Sequence, residues 1–155
     1  MKTAVVAMAY GSPSRVEDIP AYYADIRRGR PVSAEKVAEL TERYRRIGGS
    51  PLNDVTEAQR AALARELELP VYVGMKHWEP WIADAVEAAV SAGAERIVGL
   101  VLAPHYSRMS IGGYRERLER ALEHAGAHGD VSVVFIESWH DHAPFVDVVA
   151  DRVRG

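Results

Sequence analysis

The sequence predicts an α/β domain built on a four-stranded parallel sheet layered between helices. Three observations carry that prediction. Four short aliphatic runs alternate with amphipathic stretches of helical length, the pattern of strands joined by crossover helices. Each run (AVVAMAYGSP, VYVGMKHWEP, IVGLVLAPHYS and VVFIESWHDH) passes directly from buried aliphatics into Tyr, His or acidic residues. The 155 residues contain no proline-rich or low-complexity break, so the chain reads as one domain over 1–155, long enough to bury about 70% of its unfolded surface.

The first strand is expected over Thr3–Ala9, ending at the Gly11-Ser12-Pro13 turn. IPAYYADIRR reads as a helix, and Ser33–Arg46 as a second one with Ser33 as its N-cap. Gly48-Gly49-Ser50-Pro51 breaks the pattern. Thr56–Leu67 is Ala- and Glu-rich and amphipathic, capped by Thr56 or Asp54, and leads to the second strand at Val71–Met75. Pro80 suits a helix start, and WIADAVEAAVSAG closes on a glycine stop before the third strand, Arg96–Ala103. Ile111–Ala125 forms the next helix, Val131–Ile136 the fourth strand, and Pro144–Val153 the last helix.

Composition narrows the chemistry. No run approaches the roughly 18 apolar residues of a membrane span, and the N-terminal apolar stretch is too short for a secretory signal, so a soluble cytoplasmic protein is expected. The absence of cysteine excludes disulfides, iron–sulfur clusters and thiolate zinc sites, leaving His, Tyr and carboxylates as metal ligands. A net charge of −3 argues against general nucleic-acid binding. Charge is uneven, however: Arg27–Arg46 holds six Arg and one Lys against three Glu. There is no Gly-x-Gly-x-x-Gly after the first strand, no P-loop and no nucleophile elbow, so dinucleotide, nucleotide and serine-hydrolase readings lack their signatures.

The carboxyl ends of parallel strands lie along one edge of the sheet, which places Tyr10, His77, His105 and the Glu137–His142 segment around one crevice. Arginine grips carboxylates bidentately and stays charged, so Arg27, Arg28, Arg30 and Arg43 are candidate anchors for an acidic ligand. A solvated helix face is the alternative for each. Tyr22, Tyr23 and Tyr44 suit either an apolar pocket floor or a helix–helix seam. Glu137, His140, Asp141 and His142 together are candidates for an accessory Mg(II) or Zn(II) site or an entry path for iron, against the alternative of a solvated loop.

The motifs MAYGSP (Met8–Pro13), YYADIRRGRP (Tyr22–Pro31), ERYRRIGGSPL (Glu42–Leu52), YVGMKHWEPWIADAV (Tyr72–Val86), LAPHYSRMSIGGY (Leu102–Tyr114) and ESWHDHAPFV (Glu137–Val146) run in a single order. In that order they resemble the amino-terminal half of ferrochelatases, most closely the coproporphyrin III ferrochelatases of Gram-positive bacteria. The resemblance implies a chelatase-like, flavodoxin-like three-layer fold and a lyase-type enzyme of heme biosynthesis, with Fe(II) as substrate and coproporphyrin III or coproheme as ligand. It implies Tyr10 as axial ligand of coproheme iron, and Arg27, Arg43, Tyr44, Ser50 and Tyr114 as contacts to the macrocycle or its propionates. Ferrochelatases are about twice this length, and the Ser-Ala-His-Ser-Leu-Pro segment with the catalytic histidine, like its partner glutamate, belongs to their second domain. Neither occurs here, so the catalytic base is not assigned; His77 and His105 are candidates beside the Glu137–His142 cluster, with a role in holding its own loop as the alternative for His105. Three readings stay open: the amino-terminal half of a full ferrochelatase, whose missing second half completes the cleft; a half-sized chelatase that completes it with a symmetry mate; and a non-catalytic coproheme-binding module.

Overall fold

The computed structural model describes all residues, Met1–Gly155. Strands β1 (Thr3–Ala9), β2 (Val71–Met75), β3 (Arg96–Val101) and β4 (Ser132–Ile136) form one parallel sheet in the order β2-β1-β3-β4. Helices α1 (Ile19–Ile26), α2 (Ala34–Ile47) and α3 (Leu52–Leu67) lie between β1 and β2, while α4 (Ile82–Ser91), α5 (Ile111–His124) and α6 (Ala143–Arg154) follow β2, β3 and β4. The α/β class and parallel sheet are as the sequence predicts.

Alternation along β1 explains the layering. Ala4, Val6 and Met8 face one side, where they pack with Ile82, Val86 and Ala89 of α4 and Ile111, Leu118 and Leu122 of α5. Val5 and Ala7 face the other, against Val71 and the α3 side chains Leu63 and Ala64. A buried central strand must be apolar on both faces, which is why TAVVAMA is unbroken. Two glycines set the distances: a Cβ on Gly74 would stand 2.8 Å from Ile82 Cα, and one on Gly99 would meet Phe135, Leu118 and Met8 at 3.0–3.3 Å. The absent side chains let α4 and α5 close on the sheet.

Helix ends follow local chemistry, with two departures. Ser33 Oγ accepts from Lys36 N and Gly48 closes α2 in the left-handed region at φ 70°, as expected. The next helix begins at Leu52, four residues earlier than the Thr56 start read from the sequence. Pro51 stands just before its first residue, Ser50 Oγ accepts from Leu52 N at 3.3 Å, and Thr56 is buried inside the helix with its hydroxyl donating to Leu52 O at 2.7 Å. Helix α1 stops at Ile26, short of the arginines, because Arg28 and Gly29 both take positive φ, 55° and 73°. The third strand also ends early, at Val101 rather than Ala103.

Beyond β4 the packing thins. Val133 and Val134 are exposed, α6 buries none of its residues, and Val146, Val148, Val149 and Val153 face outward. No helix is long and apolar enough to cross a membrane.

Candidate active-site cleft

β1 leads leftward to β2 through helices on one face, whereas β3 leads rightward to β4 through a helix on the other. The chain therefore parts between β1 and β3, and ligand crevices open at such a point, beyond the strands' carboxyl ends. A cleft of about 880 Å³ lies there, lined by Tyr10, Asp25, Lys76, His77, Ser110 and Arg117, with Arg27, Arg28, Arg30, Arg120 and Glu116 around them.

Backbone pairing brings the first two groups together. The ladder between β1 and β2 continues past both strands, with Lys76 N donating to Ala9 O and His77 N to Tyr10 O, each at 2.9 Å. Tyr10 and His77 consequently stand side by side, their rings 4.5 Å apart. Gly11 makes the turn at φ 86°, where a Cβ would strike Met75 Cβ at 2.9 Å. Tyr10 remains 40% exposed, whereas His77 is buried. His77 Nδ1 lies 2.7 Å from Asp25 Oδ2. An ionised carboxylate only accepts, so Nδ1 carries the hydrogen and, in the neutral ring, Nε2 carries the lone pair. Burial holds the His77 pKa below the usual histidine value, opposed by the Asp25 hydrogen bond. Burial and then the Asp25 charge push Tyr10 above the ordinary tyrosine value, so its phenol keeps its proton.

Positive charge dominates the lining: six cationic side chains against the two carboxylates Asp25 and Glu116. Arg117 lies 3.6 Å from Asp25 and Arg120 3.5 Å from Glu116. Arg27, Arg28, Arg30 and Lys76 have no carboxylate partner, which leaves four cations free to meet an anion. Lys76 is the most constrained of them. It is buried, donates from Nζ to Ser110 O at 2.9 Å and sits 4.7 Å above the Tyr114 ring. Burial, then Arg117 and Arg28, lower its pKa. Arg28 also holds a left-handed backbone without being glycine, a strained conformation found at the cleft itself.

The remaining predicted residues are spread around this centre. Arg43 lies on the exposed face of α2, bound to Glu39. Tyr44 OH lies 2.9 Å from Ser12 Oγ, and Asn53 brackets Ser12 through both its backbone groups, tying α2 and α3 to the turn after β1. Tyr22 donates to Gly11 O at 3.1 Å and meets Trp78 edge-on, so it belongs to the turn's support rather than the cleft wall. Ser50 opens α3. Tyr114 is 3% exposed beneath Lys76. His105 stands farther along the same sheet edge, its ring 5.4 Å from that of His140.

The accessory oxygen-ligand site expected at Glu137, His140, Asp141 and His142 is not assembled. Nowhere in the chain do three His, Asp or Glu side chains come together to hold a metal. Glu137 is taken by Arg115, and His140 by Ser138. Conversely, sequence reading missed Asp25, Lys76, Arg117 and Arg120. Lys76 and Asp25 lie inside the motifs singled out, next to the histidine and arginines that drew attention; Arg117 and Arg120 carry no signal beyond one turn's spacing on α5.

Comparison with known proteins adds three findings. The family model described as Ferrochelatase matches residues 2–155. The ferrochelatase of Deinococcus radiodurans is 41% identical over 156 residues, covering 97% of this chain and 49% of the relative. The coproporphyrin III ferrochelatases of Listeria innocua and Bacillus mycoides are 41% and 43% identical over 161 and 162 residues, each alignment covering 99% of this chain and 51% of the relative. The chain spans about half the length of the curated relatives it matches.

Proposed function

The chain belongs to the ferrochelatase family, and from that premise we propose that it forms one wall of a cleft in which Fe(II) is inserted into coproporphyrin III. The observation that carries this reading is the cleft beside Tyr10, with four cations lacking carboxylate partners. Coproporphyrin presents four propionates at the rim of an apolar disc. Arg27, Arg28 and Arg30 supply charge-assisted donors for such a rim, and Tyr10 supplies a hard oxygen ligand toward the macrocycle centre. The resemblance also assigns Arg43, Tyr44 and Ser50 to the macrocycle; none of the three lines the cleft, Arg43 pairing with Glu39, Tyr44 meeting Ser12 and Ser50 opening α3, so contact with a propionate requires Arg43 to exchange Glu39 for it.

Insertion exchanges the two pyrrole N–H protons of the macrocycle for Fe(II), so two protons must leave the cleft. His77 is suited to accept one: its ring is kept neutral by burial, and Asp25 fixes the tautomer that presents Nε2. The phenol of Tyr10 is protonated without ligand, and an iron cation against its oxygen would reverse that balance. A second wall is needed to distort the macrocycle and take the second proton. We assign that role to the polypeptide equivalent to the remaining half of the relatives, in the cytoplasm; the outward-facing valines of β4 and α6 favour a covering partner over a free-standing module.

The test is an anaerobic Fe(II) insertion assay with coproporphyrin III on the 155-residue chain, run beside a coproheme titration. Binding without turnover is expected, with a tyrosinate-to-iron charge-transfer band that Tyr10→Phe removes. Turnover by the chain alone would mean that two copies complete the site. Failure to bind coproheme would overturn the reading.

A further inference from the structure

A second pair of chemically capable side chains stands on the same sheet edge, outside the cleft. His105 follows β3 and His140 follows β4; both are exposed, with ring centroids 5.4 Å apart and planes tilted by 37°. Ser138 decides the state of one of them. Its hydroxyl lies 3.1 Å from Pro104 O, and a carbonyl has no hydrogen to give, so Ser138 donates there. With its one hydrogen committed, Ser138 Oγ meets His140 Nδ1 at 2.6 Å as an acceptor. Nδ1 is therefore the protonated nitrogen, and in the neutral ring the lone pair belongs to Nε2.

That relay is how metal-binding histidines are commonly held, with one nitrogen donating to an outer group so that the other is oriented toward the ion. Here it also couples the two loops. Pro104 O accepts from Trp139 N at 3.0 Å as well as from Ser138, and Trp139 Nε1 donates to Val101 O at 2.9 Å. The residue preceding His105 thus anchors the two residues preceding His140, and the imidazoles share one backbone frame. Their spacing suits a common ion. A metal about 2.0–2.1 Å from a ring nitrogen stands about 3 Å from the ring centroid, so two imidazoles meeting at a tetrahedral angle have centroids about 5 Å apart.

We propose that His105 and His140 form a two-imidazole docking site for a divalent transition-metal ion. Nitrogen donors select the Fe, Ni, Cu and Zn group over Mg(II) and Ca(II), which want oxygens. Of the two carboxylates close to His140 in the chain, Glu137 is held by Arg115, and Asp141 does not join the two histidines in a three-ligand group. Two protein ligands leave the other coordination positions to water, the arrangement of an exchangeable site rather than of a closed structural one. The pair does not depend on the porphyrin reading, since neither histidine lines the cleft.

Calorimetric titration of the full chain with Ni(II) and Zn(II) at neutral pH tests the site. One ion per chain is expected, with affinity falling by about tenfold or more in His105→Ala and in His140→Ala, and no further in the double variant. Ser138→Ala should weaken binding with both ligands still present, and His124→Ala should leave it unchanged. Near-UV circular dichroism checks that each variant is folded; if His140→Ala disturbs its loop, His105→Ala alone decides. Absence of binding by the native chain, or binding that survives both single variants, would overturn the proposal.

Discussion

At the scale of single residues, burial controls the chemistry around the turn after β1. Tyr22 and Tyr114 are pushed well above the ordinary tyrosine value, chiefly by burial. The unfolded chain releases those protons above about pH 10 and the folded one does not, so this stabilisation is complete below pH 10 and lost as pH rises beyond it. Tyr22→Phe should lower stability by about 1 kcal/mol at neutral pH, through loss of the bond to Gly11 O, yet decline less steeply than the native chain above pH 10. Urea unfolding across that range checks both parts, and parallel slopes would refute the burial account. Lys76 makes the opposite case. A buried ammonium with no carboxylate partner is a cost that a methionine would not carry. Lys76→Met should therefore unfold at the same or a higher temperature; under the proposed function it should also bind coproporphyrin more weakly, and an equal affinity would separate Lys76 from the ligand.

At the scale of elements, close approach of helix to sheet is the controlling term. Gly74→Ala drives a Cβ into the backbone of Ile82, which cannot swing aside, and should cost about 1–3 kcal/mol. Leu118→Ala empties a fully buried position between α5 and the sheet and should cost about 2–5 kcal/mol. Denaturant midpoints measure both. The outer layer should behave differently. Val134→Lys and Val149→Lys change residues about half exposed, so each should stay within about 0.5 kcal/mol of the native chain. A large loss in either would mean that β4 and α6 are packed more tightly than their exposure indicates.

At the scale of the whole molecule, one face is finished and another is not. The central strands β1 and β3 are covered by α4 and α5, whereas β4 and α6 present valines to solvent. Apolar surface of this kind marks contact surfaces in soluble proteins. We expect the chain to bind a hydrophobic dye or to self-associate in sedimentation, and the paired Val134→Lys, Val149→Lys variant to reduce either signal while leaving coproheme binding intact. Loss of coproheme binding in that variant would instead place the ligand against β4 and α6.

Much of this protein was legible in its sequence. The strand bounds of β1 and β2, the α/β class and the ferrochelatase resemblance all rest on local patterns, because buried parallel strands must be continuously apolar and helix caps depend on near neighbours. The start of α3 was misread because Thr56 resembles a cap, when its hydroxyl is turned back into the helix. The site was legible only as an edge of the sheet. Tyr10 and His77 could be placed there, but nothing local indicates that Asp25 orients His77, that Arg117 pairs with Asp25, or that Glu137 belongs to Arg115. Those partners lie 52, 92 and 22 residues apart in the chain. Only the crossing of strands and helices brings them within hydrogen-bonding or ion-pair reach, so the tertiary structure alone decides which charges are spent on each other and which stay free for a ligand.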